Sequence, residues 1–294
     1  MILIERVSVM STIRPRIRQS RKKTYSPICV GIITIPHQKK IKHGSSHVMK
    51  TYVDWFINRG IQVVLIPYDT TKHEMYFNMV HGLLIPGGET GFIVKNKSFM
   101  NSVARFIELS LQPRVYFPIW GTCFGFEMLL FVVGGFSKLK RYPADGLYPI
   151  TITERGHASR MFRSFSPSYL RFLEKEPSTL QHHDYAISSD DFMKQPHLSQ
   201  FYNIIATSID DKGHEYVAAI ESPYYPIYGV MWHPERQSNA GEFADFFLSE
   251  LRKNKRKPVP PSFLFSSTSK QAHYLPHHCT QYKQLDHYIC YFFK

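Results

Sequence analysis

The chain has 294 residues, 43% of them hydrophobic and 15% aromatic, with four cysteines and a formal net charge of +13. That is enough apolar material for one large core, whereas four cysteines are too few for a disulfide scaffold and no apolar run approaches the roughly 18 residues of a membrane span. The basic excess gathers in "RPRIRQSRKK" (14–23) and "RKNKRK" (252–257), which read as solvated tails, so nucleic acid is not an expected partner.

Residues 1–25 form a basic tail with charges too early for a signal-peptide pattern. From residue 26 strands and helices alternate. "ICVGIITIP" (28–36) is a nearly continuous apolar run, as a strand buried on both faces requires. "HVMKTYVDWFINRG" (47–60) follows with Val48, Tyr52, Trp55 and Phe56 at helical spacing and Gly60 as a stop. Then come "VVLIPY" (63–68), a helical "TTKHEMYFNMV", a third strand "GLLIPGG" (82–88), a helix over 98–112 and the strand "VYFPIW" (115–120). This alternation predicts a three-layer α/β domain, 26–254, with a mostly parallel central sheet flanked by helices. "GLYPITIT", "HHDYAISS", "YNIIATSID", "EYVAAIES" and "YYPIYGVMW" are short β-type runs, expected to add a small antiparallel extension and the remaining strands of that sheet. "NAGEFADFFLSELRKN" (239–254) is an amphipathic helix with Phe243, Phe246, Phe247 and Leu251 on one face. Residues 255–294 read as a linker and a His-, Cys- and aromatic-rich extension.

"PIWGTCFGFEML" (118–129) places Cys123 between two glycines at a strand-to-helix junction. One reading is a buried core cysteine; the other is a nucleophile elbow, in which small neighbours allow a tight turn that exposes the sulfur. At a helix N-terminus the macrodipole would favour thiolate and lower the thiol pKa. A nucleophilic cysteine needs a base. "YPIYGVMWHPE" (225–235) ends a strand in His233, followed by Pro234, which stops ladder pairing, and Glu235, which can fix the imidazole tautomer. The Phe124 amide is one candidate oxyanion donor, and Gly88 or Gly87 of "IPGGET" offers another.

"LLIPGG", "FPIWGTCFGFEML" and "YPIYGVMWHPE", in this order, resemble the γ-glutamyl hydrolase family. "GHASRMF" (156–162), "HHDYAIS" (182–188), "FYNIIATSIDDKG" (201–213) and "ADFFLSELRKN" (244–254) extend the likeness over roughly residues 26 to 254. The resemblance implies a class I glutamine-amidotransferase-like, flavodoxin-like fold and hydrolysis of folate poly-γ-glutamates through an acyl-enzyme. It implies Cys123 as nucleophile, His233 as acid and base and Glu235 as supporting carboxylate, with substrate-side roles for Tyr52 and His183. It implies no metal or organic cofactor, an anionic folylpoly-γ-glutamate as the partner molecule and a lysosomal, vacuolar or secreted location, with the cytoplasm as the alternative. A homodimer is left open.

The chain departs from the family in two places. "SSHVM" stands where members have an aromatic pair, and "RQSNAG" replaces a longer loop. Arg155, Arg160 and Arg163 lie in a family-like segment, but arginines of a surface loop are more often simply solvated. His277, His278, Cys279, His287 and Cys290 do not have the spacing of a zinc finger. Two other functions stay in view: a glutaminase component serving a synthetase, and an inactive relative that binds an anionic ligand.

Overall fold

The computed structural model describes residues 28–41, 44–89, 91, 95–135, 139–256, 276–278 and 289–293. The first half runs β1 (Cys29–Ile33), β2 (Ile35–Ile41), β3 (Gly44–Met49), α1 (Lys50–Ile57), β4 (Gln62–Ile66), α2 (His73–Met79), β5 (Gly82–Ile85), α3 (Lys97–Ser110), β6 (Ile119–Thr122) and α4 (Phe124–Gly134). The second runs β7 (Lys140–Tyr148), β8 (Thr151–Ile152), α5 (Glu154–His157), α6 (Pro167–Lys175), β9 (Thr179–Ala186), α7 (Ser189–Met193), α8 (Pro196–Phe201), β10 (Asn203–Ile209), β11 (Glu215–Glu221), β12 (Ile227–Val230), α9 (Gly241–Lys253), β13 (Pro276–His278) and β14 (Ile289–Phe293).

The central sheet has eight strands in the order β4-β1-β5-β6-β12-β11-β10-β8. Its first five strands pair in parallel and its last three add antiparallel edges. This is the mostly parallel α/β architecture expected from the alternating pattern. The parallel strands β1, β5, β6 and β12 are buried along their whole length, which is why their sequences are apolar runs without alternation. On one face α9 lays Phe247 against Trp120 (ring centroids 5.6 Å) and Phe246 against Tyr228 (4.9 Å). Among the described residues, no helix is long and apolar enough to cross a membrane.

Four details differ from the sequence expectation. The helix expected from His47 starts at Lys50, because His47 to Met49 are strand residues paired with β14, and His47 also with Ile35 of β2. The strand expected over 115–120 is Ile119–Thr122; Pro118, which has no N–H to donate, instead accepts from Leu83 N at 2.9 Å. The "HHDYAIS" strand is not part of the main sheet: β9 pairs with β7 in a separate two-stranded ribbon. Arg160 is not a solvated surface arginine. It donates to Glu221 Oε1 (3.0 Å), to the carbonyl of Ser222 and to that of Tyr225 (2.7 Å), and stacks over Tyr228.

Part of the C-terminal extension returns to the domain, where β14 runs antiparallel to β3 with Cys290 opposite Met49 and Phe292 opposite His47. Of the histidines and cysteines weighed for zinc, Cys279 and His287 lie outside the described residues, as does the basic tail 1–25.

Candidate active site

The two glycines around Cys123 are fixed by close packing. A Cβ on Gly121 would lie 2.6 Å from the Gly125 carbonyl oxygen, and one on Gly125 would lie 2.0 Å from that of Ile85. Only glycine lets the first turn of α4 sit this close to β5 and β6. The strain itself is carried by Cys123, at φ 50° and ψ −110°, a region that L-residues avoid and that gathers at functional sites. Its amide donates to Val230 O at 2.8 Å, so the turn is clamped to the neighbouring strand β12.

β12 is also the strand that leads to the candidate base. His233 follows it, and its amide donates to Leu180 O of β9 at 2.9 Å. Nδ1 of His233 lies 2.8 Å from Glu235 Oε1, and both side chains are buried. Nε2 is buried with no hydrogen-bond partner. A Cβ placed on Gly87 would come within 2.8 Å of His233 Cε1, 2.9 Å of Tyr52 Oη and 3.5 Å of Cys123 Cβ. Cys123, His233 and Tyr52 therefore all border Gly87. Sequence reasoning named all three side chains, from three distant segments, and the fold brings them together.

Of the oxyanion candidates, Phe124 opens α4, and its amide acts to lower the Cys123 thiol pKa. Gly87 N–H donates to Tyr52 Oη at 2.8 Å, which leaves Gly88, exposed just beyond it, as the second candidate. His183 lies in β9 with its ring edge-on to Tyr216 at 5.0 Å. Both its ring nitrogens are buried without a partner, and burial with the nearby His233 pushes its pKa down to about 4. Burial therefore favours the neutral imidazole.

The thiol differs from expectation. Burial, then the carboxylate of Glu127, hold the Cys123 pKa well above the ordinary thiol range, against the Phe124 amide, which lowers it. The side chain is only 5% exposed, and desolvation disfavours an anion more than one helix end favours it. At rest the sulfur is a thiol, 3.6 Å from His182 O of β9. Deprotonation therefore depends on a base rather than on the helix dipole.

Three contributors were missed. Glu127 is an acid only 1% exposed, one turn after Cys123, with its amide bonded to Cys123 O; a lone charge in the apolar helix "FGFEMLLFVV" was the available signal. Arg236 acts electrostatically on both Cys123 and Tyr52, and its place directly after His-Pro-Glu was readable. The His182 carbonyl had no sequence signal, because any residue at that register position supplies one.

With this geometry established, comparison with known proteins identifies the lineage. The family model described as glutamine amidotransferase class-I matches residues 44–249. The chain is 30% identical over 250 residues to the γ-glutamyl hydrolase of Homo sapiens, covering 76% of this chain and 78% of that protein. This chain belongs to the γ-glutamyl hydrolases of the class I glutamine-amidotransferase family. It is also 28% identical over 264 residues to γ-glutamyl hydrolase B of Dictyostelium discoideum (81% and 76% of the two chains) and 25% identical over 240 residues to γ-glutamyl hydrolase 1 of Arabidopsis thaliana (73% and 67%). A solved Thermoplasma acidophilum protein described as a GMP synthase component shares the fold, with a TM-score of 0.54 at 16% identity over 78% of this chain and 96% of its own.

Proposed function

We propose that this γ-glutamyl hydrolase homologue cleaves the γ-glutamyl bonds of folate poly-γ-glutamates by a cysteine mechanism. The observation that carries the proposal is the strained Cys123 beside a buried His233–Glu235 pair, with Gly87 between them. When substrate displaces the contact to His182 O, His233 Nε2 takes the thiol proton and the sulfur attacks the γ-carbonyl carbon. The oxyanion that forms accepts from the amides of Phe124 and Gly88. Glu235 stabilises the imidazolium, which then protonates the departing α-amine as the C–N bond breaks, leaving a thioester. A water gives its proton to the same Nε2, attacks the thioester and releases the acid, and the proton returns to sulfur. Each γ-linked residue keeps an α-carboxylate, so the substrate tail is polyanionic and needs charge-assisted hydrogen-bond donors where it binds.

The deciding experiment incubates purified protein with a γ-linked glutamyl folate and, separately, with glutamine, comparing wild type with Cys123→Ser. Release of γ-linked glutamate by wild type alone is expected. Turnover of glutamine without cleavage of the γ-linked tail would overturn the proposal in favour of a glutaminase. No turnover of either by folded protein would overturn it in favour of a binding protein.

A further inference from the structure

β9 pairs with β7 along one edge, with Leu147 opposite Leu180 and Asp145 opposite His182. In an antiparallel pair alternate residues turn their backbone groups away from the partner strand. On that outer edge the carbonyls of Ser178, Leu180 and His182 meet three donors in turn. Gln237 Nε2 donates to Ser178 O at 2.7 Å, His233 N donates to Leu180 O at 2.9 Å, and Cys123 Sγ lies 3.6 Å from His182 O. Leu180 N in turn donates to Gln237 Oε1 at 3.0 Å. One strand edge therefore meets the sulfur, the backbone of the candidate base and the Gln237 side chain in register.

Gln237 does in this row what a neighbouring strand would do. A carboxamide carries the same C=O acceptor and N–H donor as a peptide group, and here it accepts from Leu180 and donates to Ser178. It comes from "RQSNAG", the short segment that joins His233-Pro234-Glu235 to α9. Its own amide donates to Pro234 O at 3.2 Å, so the side chain is anchored at the end of the His-Pro-Glu turn. The clamp thus ties the segment that carries the imidazole to the strand whose carbonyl meets the thiol. A misplacement of about 1 Å between reacting groups costs on the order of 10²-fold in rate.

We propose that Gln237 is a positioning residue, whose carboxamide docks the outer edge of β9 on the His-Pro-Glu segment and so sets the spacing of Cys123 and His233. It acts through Leu180 and His182 and touches neither reacting group. Its effect on turnover rests on the proposed function; its effect on the sulfur does not. Of the bonds described, only that from His233 N ties β9 to the segment once the carboxamide is gone. The edge then shifts, the base is misaligned, and His182 O no longer covers the thiol.

The test compares Gln237→Leu and Gln237→Glu with wild type in the full chain. It reads kcat and KM on the γ-linked substrate, iodoacetamide alkylation of the Cys123 peptide by mass spectrometry, and urea unfolding. Gln237→Leu keeps the bulk and removes both bonds. Its kcat per folded molecule should fall about tenfold with KM changed less than about twofold, while alkylation speeds about tenfold. Gln237→Glu, which also serves if Gln237→Leu folds poorly, keeps the acceptor and regains an O–H donor only when protonated. Its kcat relative to wild type should therefore rise as pH falls from 7 to 5, a rescue that lost packing does not give. Wild-type turnover and alkylation in both variants would overturn the inference, as would lost activity that only follows lost folded protein and has no rescue at low pH. Faster alkylation of folded Gln237→Leu, in a protein that cleaves no γ-glutamyl bond, would overturn the functional proposal and keep this one.

Discussion

His233 Nδ1 lies 2.8 Å from Glu235 Oε1 while Nε2 on the opposite side of the ring is unpartnered. A carboxylate accepts, so Nδ1 carries the proton and Nε2 is left as the base. Glu235→Gln keeps an acceptor but loses the charge and adds an amide that can reverse the tautomer. Its kcat is expected to fall between about 10²- and 10⁴-fold with little change in KM. Steady-state kinetics on the γ-linked substrate check this, and an unchanged kcat would remove Glu235 from the mechanism.

Gly87→Ala places a methyl 2.8 Å from His233 Cε1 and 2.9 Å from Tyr52 Oη. The imidazole or the phenol has to move, so activity should fall at least about 10²-fold for a stability cost of roughly 1–3 kcal/mol. Activity measured beside urea unfolding separates the two effects.

Cys123 holds φ 50° and ψ −110°, a strained conformation that contributes nothing to stability. Cys123→Gly should abolish turnover yet unfold no earlier than Cys123→Ala, and about 1 kcal/mol later where relief of strain outweighs the added freedom of the unfolded chain. Thermal melts of the two inactive variants give the comparison.

Arg160 bridges Glu221 and two carbonyls, so its replacement should act on stability rather than on substrate binding. Arg160→Lys cannot hold three acceptors in the guanidinium plane and should lose roughly 2–3 kcal/mol, with KM per folded molecule unchanged. A raised KM in a stable Arg160→Lys protein would instead give this arginine a substrate role.

His183, His37 and His47 are buried, with pKa values pushed down to about 4, 4 and 3, chiefly by desolvation. Each folded value lies below the unfolded one near 6.5, so the unfolded chain takes up protons first as pH drops. Their contribution is complete above about pH 6.5 and is lost as pH falls through the folded values, by up to about 1.4 kcal/mol per pH unit for each ring. Unfolding free energy measured from pH 7 to pH 4 should decrease, and less steeply in His183→Gln.

The sequence alone determined the strand–helix alternation and the parallel core, and it singled out Cys123, His233 and Glu235 as the candidate site. These rest on local rules: continuous apolar runs for doubly buried strands, glycines flanking a junction and a proline ending a strand. Tertiary structure decided what depends on segments far apart in the chain. The start of α1 shifted because His47 to Met49 found strand partners in β2 and β14. Arg160 became an internal brace because Glu221 and Tyr225 lie opposite it. The thiol lost its expected acidity because burial and Glu127 outweighed the helix end, and desolvation is set by how the whole chain packs.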